Sequence, residues 1–388
     1  MISGAKLRFA RQTRGFSQQQ LAGMAGVSRQ AVSAVESGQS DPSLRVALAL
    51  AQALGMTVDE LFGGESTVQA VQAQVVGDPG PAGARVTLAP IGDSLVALPL
   101  NAAAASRAGF LPAGGLLVDK KSELTPRPFA KAPQLAAQPA ATPKASVRPI
   151  EPPRPTLVVA GCDPALPLLE EPLSLLDPPI AFSWWPCSSR EALRLAAQGL
   201  VHAAGEHLRD RSGEYNTGSA SELLADGEVI GFSAWREGLV LAPAAAAGIA
   251  DVRDVASHGL RLVNRERGAE ARRVLDRELA SAGIDGEQLP GYRTTAAGHL
   301  QVADAIAAGL ADVGVACEPA ALAYRLTFIP LATERFDLVI PAAHAACREV
   351  QALVKVLSSR WLLDQLTSLP GYDPSSCGQH IATLPPSA

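Results

Sequence analysis

The first 62 residues are punctuated so regularly that they can fold into little other than a bundle of short helices. Ser3 can cap a helix over residues 5–13, stopped by Gly15. Ser17 then caps residues 18–24, stopped by Gly26, and Ser28 caps residues 29–37, stopped by Gly38. Pro42-Ser43 opens residues 44–54, ended by Gly55, and Thr57 caps a last turn through Leu61. Each hydroxyl can accept from the free N–H groups of a first helical turn, and each glycine accepts the left-handed conformation that ends a helix. The pattern predicts a compact all-α unit over residues 1–66.

The link Ala25-Gly26-Val27 between the second and third segments has the length and the glycine of a helix-turn-helix turn. On the third segment Ala31, Val32 and Val35 form an inward stripe, leaving Arg29, Gln30 and Ser33 on the outer face behind the capping Ser28. An apolar side to seat the helix and a polar side to reach base edges are what a recognition helix needs. Gln18, at the start of the second helix, is placed to contact a phosphate. The charge distribution agrees. Residues 1–30 carry Lys6, Arg8, Arg11, Arg14 and Arg29 with no acid, so the overall net charge of −5 leaves −10 on the remainder. A basic end on an acidic body directs that end toward a polyanion.

These residues also carry a family resemblance. The run from Ser17-Gln18-Gln19-Gln20-Leu21-Ala22 through Gly26-Val27-Ser28-Arg29, Glu36-Ser37-Gly38, Asp41-Pro42-Ser43 and Leu54-Gly55 resembles the Cro/C1-type (XRE) helix-turn-helix regulators. The resemblance implies double-stranded DNA as a partner, and Glu36 and Gly38 as structural positions. One short helix reads few base pairs, so a homodimer on a pseudo-palindromic operator is expected.

At 388 residues the chain needs more than one core, and 47% hydrophobic against 18% charged residues supplies material for them. Uncharged apolar runs such as residues 238–250 fall short of the ~18–20 residues of a membrane span, and the N-terminus lacks a signal-peptide core. A cytoplasmic, membrane-free protein is expected. Cys162, Cys187, Cys317, Cys347 and Cys377 are odd in number and show no CxxC pair, so reduced, mostly buried thiols are expected and no metal site.

Residues 85–91 and 94–100 read as two strands joined by Gly92-Asp93, within an expected small β-containing connecting module over 67–125. Nine prolines between 126 and 155 predict a linker.

From 156 to 388 the pattern becomes α/β, with strands at 156–160, 180–184 and 260–263. Two stretches read as copies of one helix–glycine–strand unit. One runs from Ser189-Arg190-Glu191 to Gly205, the other from His299-Leu300-Gln301 to Gly314. A spacing of ~110 residues suits two similar lobes, whose ligands sit beyond the carboxyl ends of the strands. This region resembles the type II periplasmic-binding-protein-like domains fused to helix-turn-helix regulators, whose relatives include molybdate- and tungstate-binding proteins. The resembling residues include Val159-Ala160-Gly161-Cys162-Asp163, Val201-His202-Ala203-Ala204-Gly205-Glu206-His207, Glu214-Tyr215-Asn216 and Val263-Asn264-Arg265. The resemblance implies a substrate-binding domain that senses a small ligand in a cleft. It departs at Gly268-Ala269-Glu270-Ala271-Arg272, where relatives carry a hydroxyl-rich loop.

Candidate ligand contacts are Cys162, Asp163, Ser188, Ser189, Gly205, Tyr215, Asn216, Asn264, Arg265 and Arg272. Ser188 and Ser189 begin a helix, where hydroxyls and free N–H groups suit an anion. Arg265, Arg267 and Arg272 can grip a carboxylate or oxyanion, with molybdate or tungstate the first compounds to try and no resident cofactor expected. His202 and His207 are assigned to packing or hydrogen bonding. The expected function is thus a non-enzymatic, one-component transcription regulator. Two alternatives are a C-terminal domain that only dimerises or binds protein, and an enzyme built on Cys162-Asp163 with His202 or His207.

Overall fold

The computed structural model describes residues 3–62, 70–78, 80–100, 111–118, 143–209, 215–224 and 226–385. They form two compact units divided at Gln69/Ala70.

The first unit is the expected helical bundle: α1 (Ser3–Thr13), α2 (Gln18–Ala25), α3 (Arg29–Glu36), α4 (Leu44–Ala53) and α5 (Val58–Phe62). Ser17, Ser28 and Ser43 each accept from an N–H in the first turn of the following helix, and Gly26 closes α2 at φ +63°. Leu7, Leu21, Val32, Val35, Leu50, Leu54 and Leu61 fill the core. Gly4 lets α1 lie against the end of α3, since a Cβ there would fall 2.5 Å from the Val35 carbonyl oxygen.

The second unit opens with a closed five-stranded barrel, β1 (Val71–Val75), β2 (Arg85–Ile91), β3 (Ser94–Pro99), β4 (Gly115–Leu117) and β5 (Lys144–Pro149), in the order β1-β3-β2-β4-β5. The β2–β3 hairpin lies where the sequence placed it, with Gly92 at φ +55° in its turn. The barrel corrects the linker expected over 126–155. Residues 126–142 lie outside the described residues, but 144–149 form a strand paired with both β1 and β4. Alternation in Lys144–Pro149 turns Val147 into the barrel core beside Val75, Val86 and Leu88, and this outweighs the proline-rich composition. The barrel is also packed on the α/β region, for Val76, Ala89, Ile91, Val96 and Leu98 share a core with Val158, Ala160 and Leu193.

The rest is a two-lobed α/β domain. Lobe one contains β6 (Thr156–Gly161), α6 (Glu170–Ser174), β7 (Ala181–Pro186), α7 (Ser189–Ala197), β8 (Ala203–Glu206) and α8 (Thr217–Leu223). The long β9 (Gly227–Leu241) crosses to lobe two, which holds α9 (Val252–Ser257), β10 (Leu262–Arg265), α10 (Glu270–Ser281), β11 (Thr295–Ala296), α11 (His299–Ala307), β12 (Val313–Cys317) and α12 (Glu318–Ala323). The equally long β13 (Thr327–Pro341) returns, and α13 (Ala342–Ala345), α14 (Arg348–Leu357), α15 (Arg360–Ser368) and β14 (His380–Leu384) complete lobe one. The sheet order is β11-β10-β12-β9-β13-β8-β6-β7, with β14 added to β9.

The two sequence copies are the α7–β8 and α11–β12 units, and they hold matching positions. Strand β8 lies parallel to β6 and antiparallel to β13, while β12 lies parallel to β10 and antiparallel to β9. The 15-residue strands β9 and β13 pair antiparallel along their length and form the connection between the two lobes.

Candidate functional site

In the helical unit α3 presents Arg29, Gln30 and Ser33 to solvent and buries Val32 and Val35, the two-faced arrangement that the spacing predicts. Ser28 uses its hydroxyl oxygen to accept from Ala31 N–H and so acts first as a cap. The Gln18 amide nitrogen donates to Glu36 Oε2 at 2.9 Å. That carboxylate is buried and takes two bonds from Arg11, at 2.6 and 3.1 Å. Arg11 also donates to the Phe16 carbonyl, so one buried ion pair ties α1, the turn into α2 and the end of α3 together.

In the two-lobed domain the carboxyl ends of β6, β8 and β10 and the start of α11 converge on the middle of β9 and β13. Several expected contacts are already satisfied within the protein. Asp163 accepts from Ala165 N–H, Tyr372 and Ser233, each at 2.8 Å. Asn216 holds φ +67°, accepts from Leu208 N–H, and donates to Asp337 and the Arg335 carbonyl. Asn264 joins Arg265 N–H to the Tyr292 carbonyl. Tyr215 donates to the Thr333 carbonyl. Arg272 stacks on Tyr292 at 4.7 Å and donates to the Arg265 carbonyl. A Cβ on Gly205 would fall 2.1 Å from the Phe336 ring, so this glycine makes room for packing. The polar side chains of Asp163, Tyr215, Asn216, Asn264 and Arg272 are thus committed within the fold.

The remaining groups lie at the start of α7 in lobe one and around β10 and α10 in lobe two. Ser189 is buried and its Oγ accepts from His207 N–H at 3.2 Å. Ser188, at the start of α7, approaches Gly268 of lobe two, where a Cβ would sit 3.9 Å from its Oγ. Arg265 is fully buried and gives two nitrogens to Glu266, leaving its third without a partner among the described residues. Glu270, the departure noted in the loop, is buried and paired to Arg273 and Arg277 at 2.9 Å.

His207 is buried against Trp235 and Phe336, the packing role expected of it. Cys162, His207 and His299 bring one donor atom each to within 4.8 Å of one another, and all three are buried. The carboxylates of Glu237 on β9 and Glu334 on β13 flank them. His207 Nδ1 lies 3.9 Å from Glu237 and 3.7 Å from Glu334, and His299 Nδ1 lies 3.5 Å from Glu237. Neither carboxylate has a hydrogen-bond partner among the described residues, nor do His207 Nδ1 and His299 Nε2. Burial pushes Glu237 up to about 7, with Glu334 adding to the rise. Burial also pushes His299 well below the usual histidine range, helped by Arg265 and His207. For His207 burial alone would lower the value, but Cys162, Glu334 and Glu237 hold it well above. His202 takes the hydrogen-bonding role expected of it, with Nδ1 accepting from Val158 N–H at 3.0 Å.

Sequence reasoning missed Glu237, Glu334 and His299. The glutamates lie in the middle of long strands with no motif around them. His299 did carry a signal, because it opens the second copy where Ser189 opens the first.

A DNA-reading bundle joined to a two-lobed α/β domain defines a class: transcription regulators that carry a substrate-binding-like domain. A helix-turn-helix family model matches residues 7–61, and a PBP superfamily domain model matches residues 171–358. The protein YvgK of Bacillus subtilis is 27% identical over 232 residues, spanning 59% of this chain and 74% of that one. The HTH-type transcriptional regulator MJ0272 of Methanocaldococcus jannaschii is 39% identical over 57 residues, 15% of this chain and 86% of that one. Among solved structures, the restriction-modification controller protein C.AhdI of Aeromonas hydrophila is 44% identical, covering 15% of this chain and 89% of its own, with a TM-score of 0.15. The chain belongs to the XRE-type helix-turn-helix transcription regulators and carries a PBP superfamily domain over residues 171–358. Among the described residues no helix is long and apolar enough to cross a membrane.

Proposed function

We propose that this chain is a one-component regulator: a small ligand enters the cleft between the lobes, and the resulting closure changes how a homodimer presents its α3 helices to an operator. The observation that carries the reading is the convergence of buried, unpartnered polar groups from both lobes at the middle of β9 and β13. Leaving such groups unsatisfied costs a fold several kcal/mol, roughly 1–3 for each neutral group and more for a charged one, and a bound ligand removes that cost. Binding in the cleft, with no reaction, is the role we propose for the domain.

An oxyanion or carboxylate ligand would rest on Ser188, Ser189 and Arg265. Arg265 is largely committed to Glu266, and Glu237 and Glu334 face the same space without partners. This charge balance disfavours a dianion such as molybdate or tungstate and favours a cation.

The test begins with selection of a binding sequence for the full chain from random duplexes. A pseudo-palindrome with half-sites roughly 34 Å apart and a 2:1 complex by analytical ultracentrifugation are expected. Anisotropy titrations on the selected duplex with molybdate, tungstate, carboxylates and divalent metal salts then measure the response. A 1:1 complex on the full operator would refute the dimer, and an operator affinity unmoved by any compound that binds the cleft would refute the sensor.

A further inference from the structure

We propose that the cleft is a binding site for a divalent d-block cation, with Cys162, His207 and His299 as ligands and Glu334 or Glu237 as the fourth. The inference deepens the sensor reading and depends on it only for its regulatory consequence.

The donor set is the first argument. One thiol, two imidazoles and a carboxylate are the ligands a zinc-type ion takes in four-coordinate sites. They are not gathered by a local motif. Cys162 follows β6, His207 follows β8, His299 opens α11 in the other lobe, and the glutamates come from the two crossing strands. A chance surface cluster would be solvated, whereas here each of the five side chains is buried.

Unmet valence is the second argument. His207 Nδ1, His299 Nε2 and all four oxygens of Glu237 and Glu334 lack hydrogen-bond partners among the described residues. Nearby positive charge comes from Arg265, which spends it mostly on Glu266, and from the His207 ring, 3.7 Å from Glu334 and 3.9 Å from Glu237. A dication held there would balance the acid of Glu237 and Glu334.

Geometry is the third argument. The donor atoms of Cys162, His207 and His299 lie within 4.8 Å of one another, against about 3.5 Å between ligands around a tetrahedral zinc ion. Closing that gap is a movement of roughly 1 Å. Because the ligands come from both lobes and both crossing strands, the ion would lock the lobes together.

The probe is Co2+, titrated into the full chain after chelator dialysis and with a non-thiol reductant. One tightly bound equivalent, with visible d–d bands of tetrahedral cobalt and a thiolate charge-transfer band, is expected. Zn2+ should displace it. Cys162→Ser should lose the charge-transfer band, and His299→Gln or Glu334→Gln should weaken Zn2+ binding about 10- to 100-fold. The two latter variants keep the test decisive if the first does not fold. A second group, His202, Cys347 and Glu349, also places donors close together, so Cys347→Ser is the control and should keep the band. Absence of tight cobalt or zinc binding overturns the proposal, as does a band that survives Cys162→Ser or vanishes in Cys347→Ser. Operator affinity is read in a separate arm: binding with the expected spectrum but no change on DNA would leave the metal site standing and refute the sensor.

Discussion

Replacing Arg11 with alanine should unfold the DNA-reading unit while the two-lobed domain stays folded. Arg11 is the main counter-charge for Glu36, bonding both carboxylate oxygens, and the Glu36 side chain has no exposed surface. Removing one partner of a buried pair costs about 3–5 kcal/mol, because the other charge is left desolvated. A unit of this size has a total stability of only about 3–9 kcal/mol, so the loss is comparable to the whole. At about 1.36 kcal/mol per tenfold change, it corresponds to a rise of about 150- to 5,000-fold in the opening equilibrium. Hydrogen exchange of the full chain, read by mass spectrometry on peptides from α4, measures this locally, with α11 peptides as the unchanged reference. Replacing both partners by Arg11→Met with Glu36→Leu should restore most of the protection, since apolar pairs of similar volume are tolerated there. An Arg11→Ala chain whose α4 exchange stays within about threefold of the parent would refute the argument. The pH dependence has a definite sign. Burial alone would raise Glu36, but hydrogen bonds from Arg11 and Gln18 and the charges of Arg11 and Arg8 hold it below its ordinary 4.5. A depressed carboxylate contributes stability that is present above the unfolded value and lost as pH falls through the folded one. Exchange in α4 should therefore accelerate only below about pH 4.5, and Glu36→Gln should flatten that dependence.

Arg29→Ala should cost about 1–3 kcal/mol of operator binding and relax one position in a selected-site assay, because Arg29 is exposed at the N-terminal end of α3 where side chains reach base edges. An unchanged selected motif would count against it. His202 is pushed down to about 4 by burial, with His344 adding to the effect. The stability that the neutral ring contributes is full above about 6.5 and falls as pH drops toward about 4. Melting curves of the full chain should show a loss on the order of 3 kcal/mol across that window, absent in His202→Gln. Gly205→Ala should lower the melting temperature through overpacking of about 1–3 kcal/mol against Phe336, with Phe336→Leu as a partial rescue. A parental melting temperature would contradict the close contact.

The parts that were legible in the sequence are those governed by near neighbours. The caps at Ser17, Ser28 and Ser43 and the left-handed glycine at Gly26 work within one turn of a helix, so α2, α3 and α4 appear within a residue or two of where the pattern places them. The β2–β3 hairpin is similarly local. The inward stripe of α3 followed from spacing alone, and so did the outward position of Arg29, Gln30 and Ser33. The duplicated unit was visible because each copy is contiguous. Lys144–Pro149 was misread as linker because its partners, β1 and β4, lie about 30 to 70 residues upstream. Composition cannot report pairing over that separation.

The cleft shows the same division more sharply. Cys162, Ser188, Ser189 and Arg265 could be named because strand ends and helix starts are where α/β ligands sit. Which of their neighbours had polar groups to spare could not be read. Asp163 is consumed by Tyr372, 209 residues away, and Asn216 by Asp337, 121 residues away. The sequence by itself determined the helical unit, its DNA-reading face and the presence of two similar lobes, since each depends on residues within a helix or hairpin of one another. Only the tertiary structure decided that Cys162, His207 and His299 meet between Glu237 and Glu334. That meeting is made by two strands crossing between the lobes, and their pairing is a long-range event that brings buried charges together without any signature in the local chain.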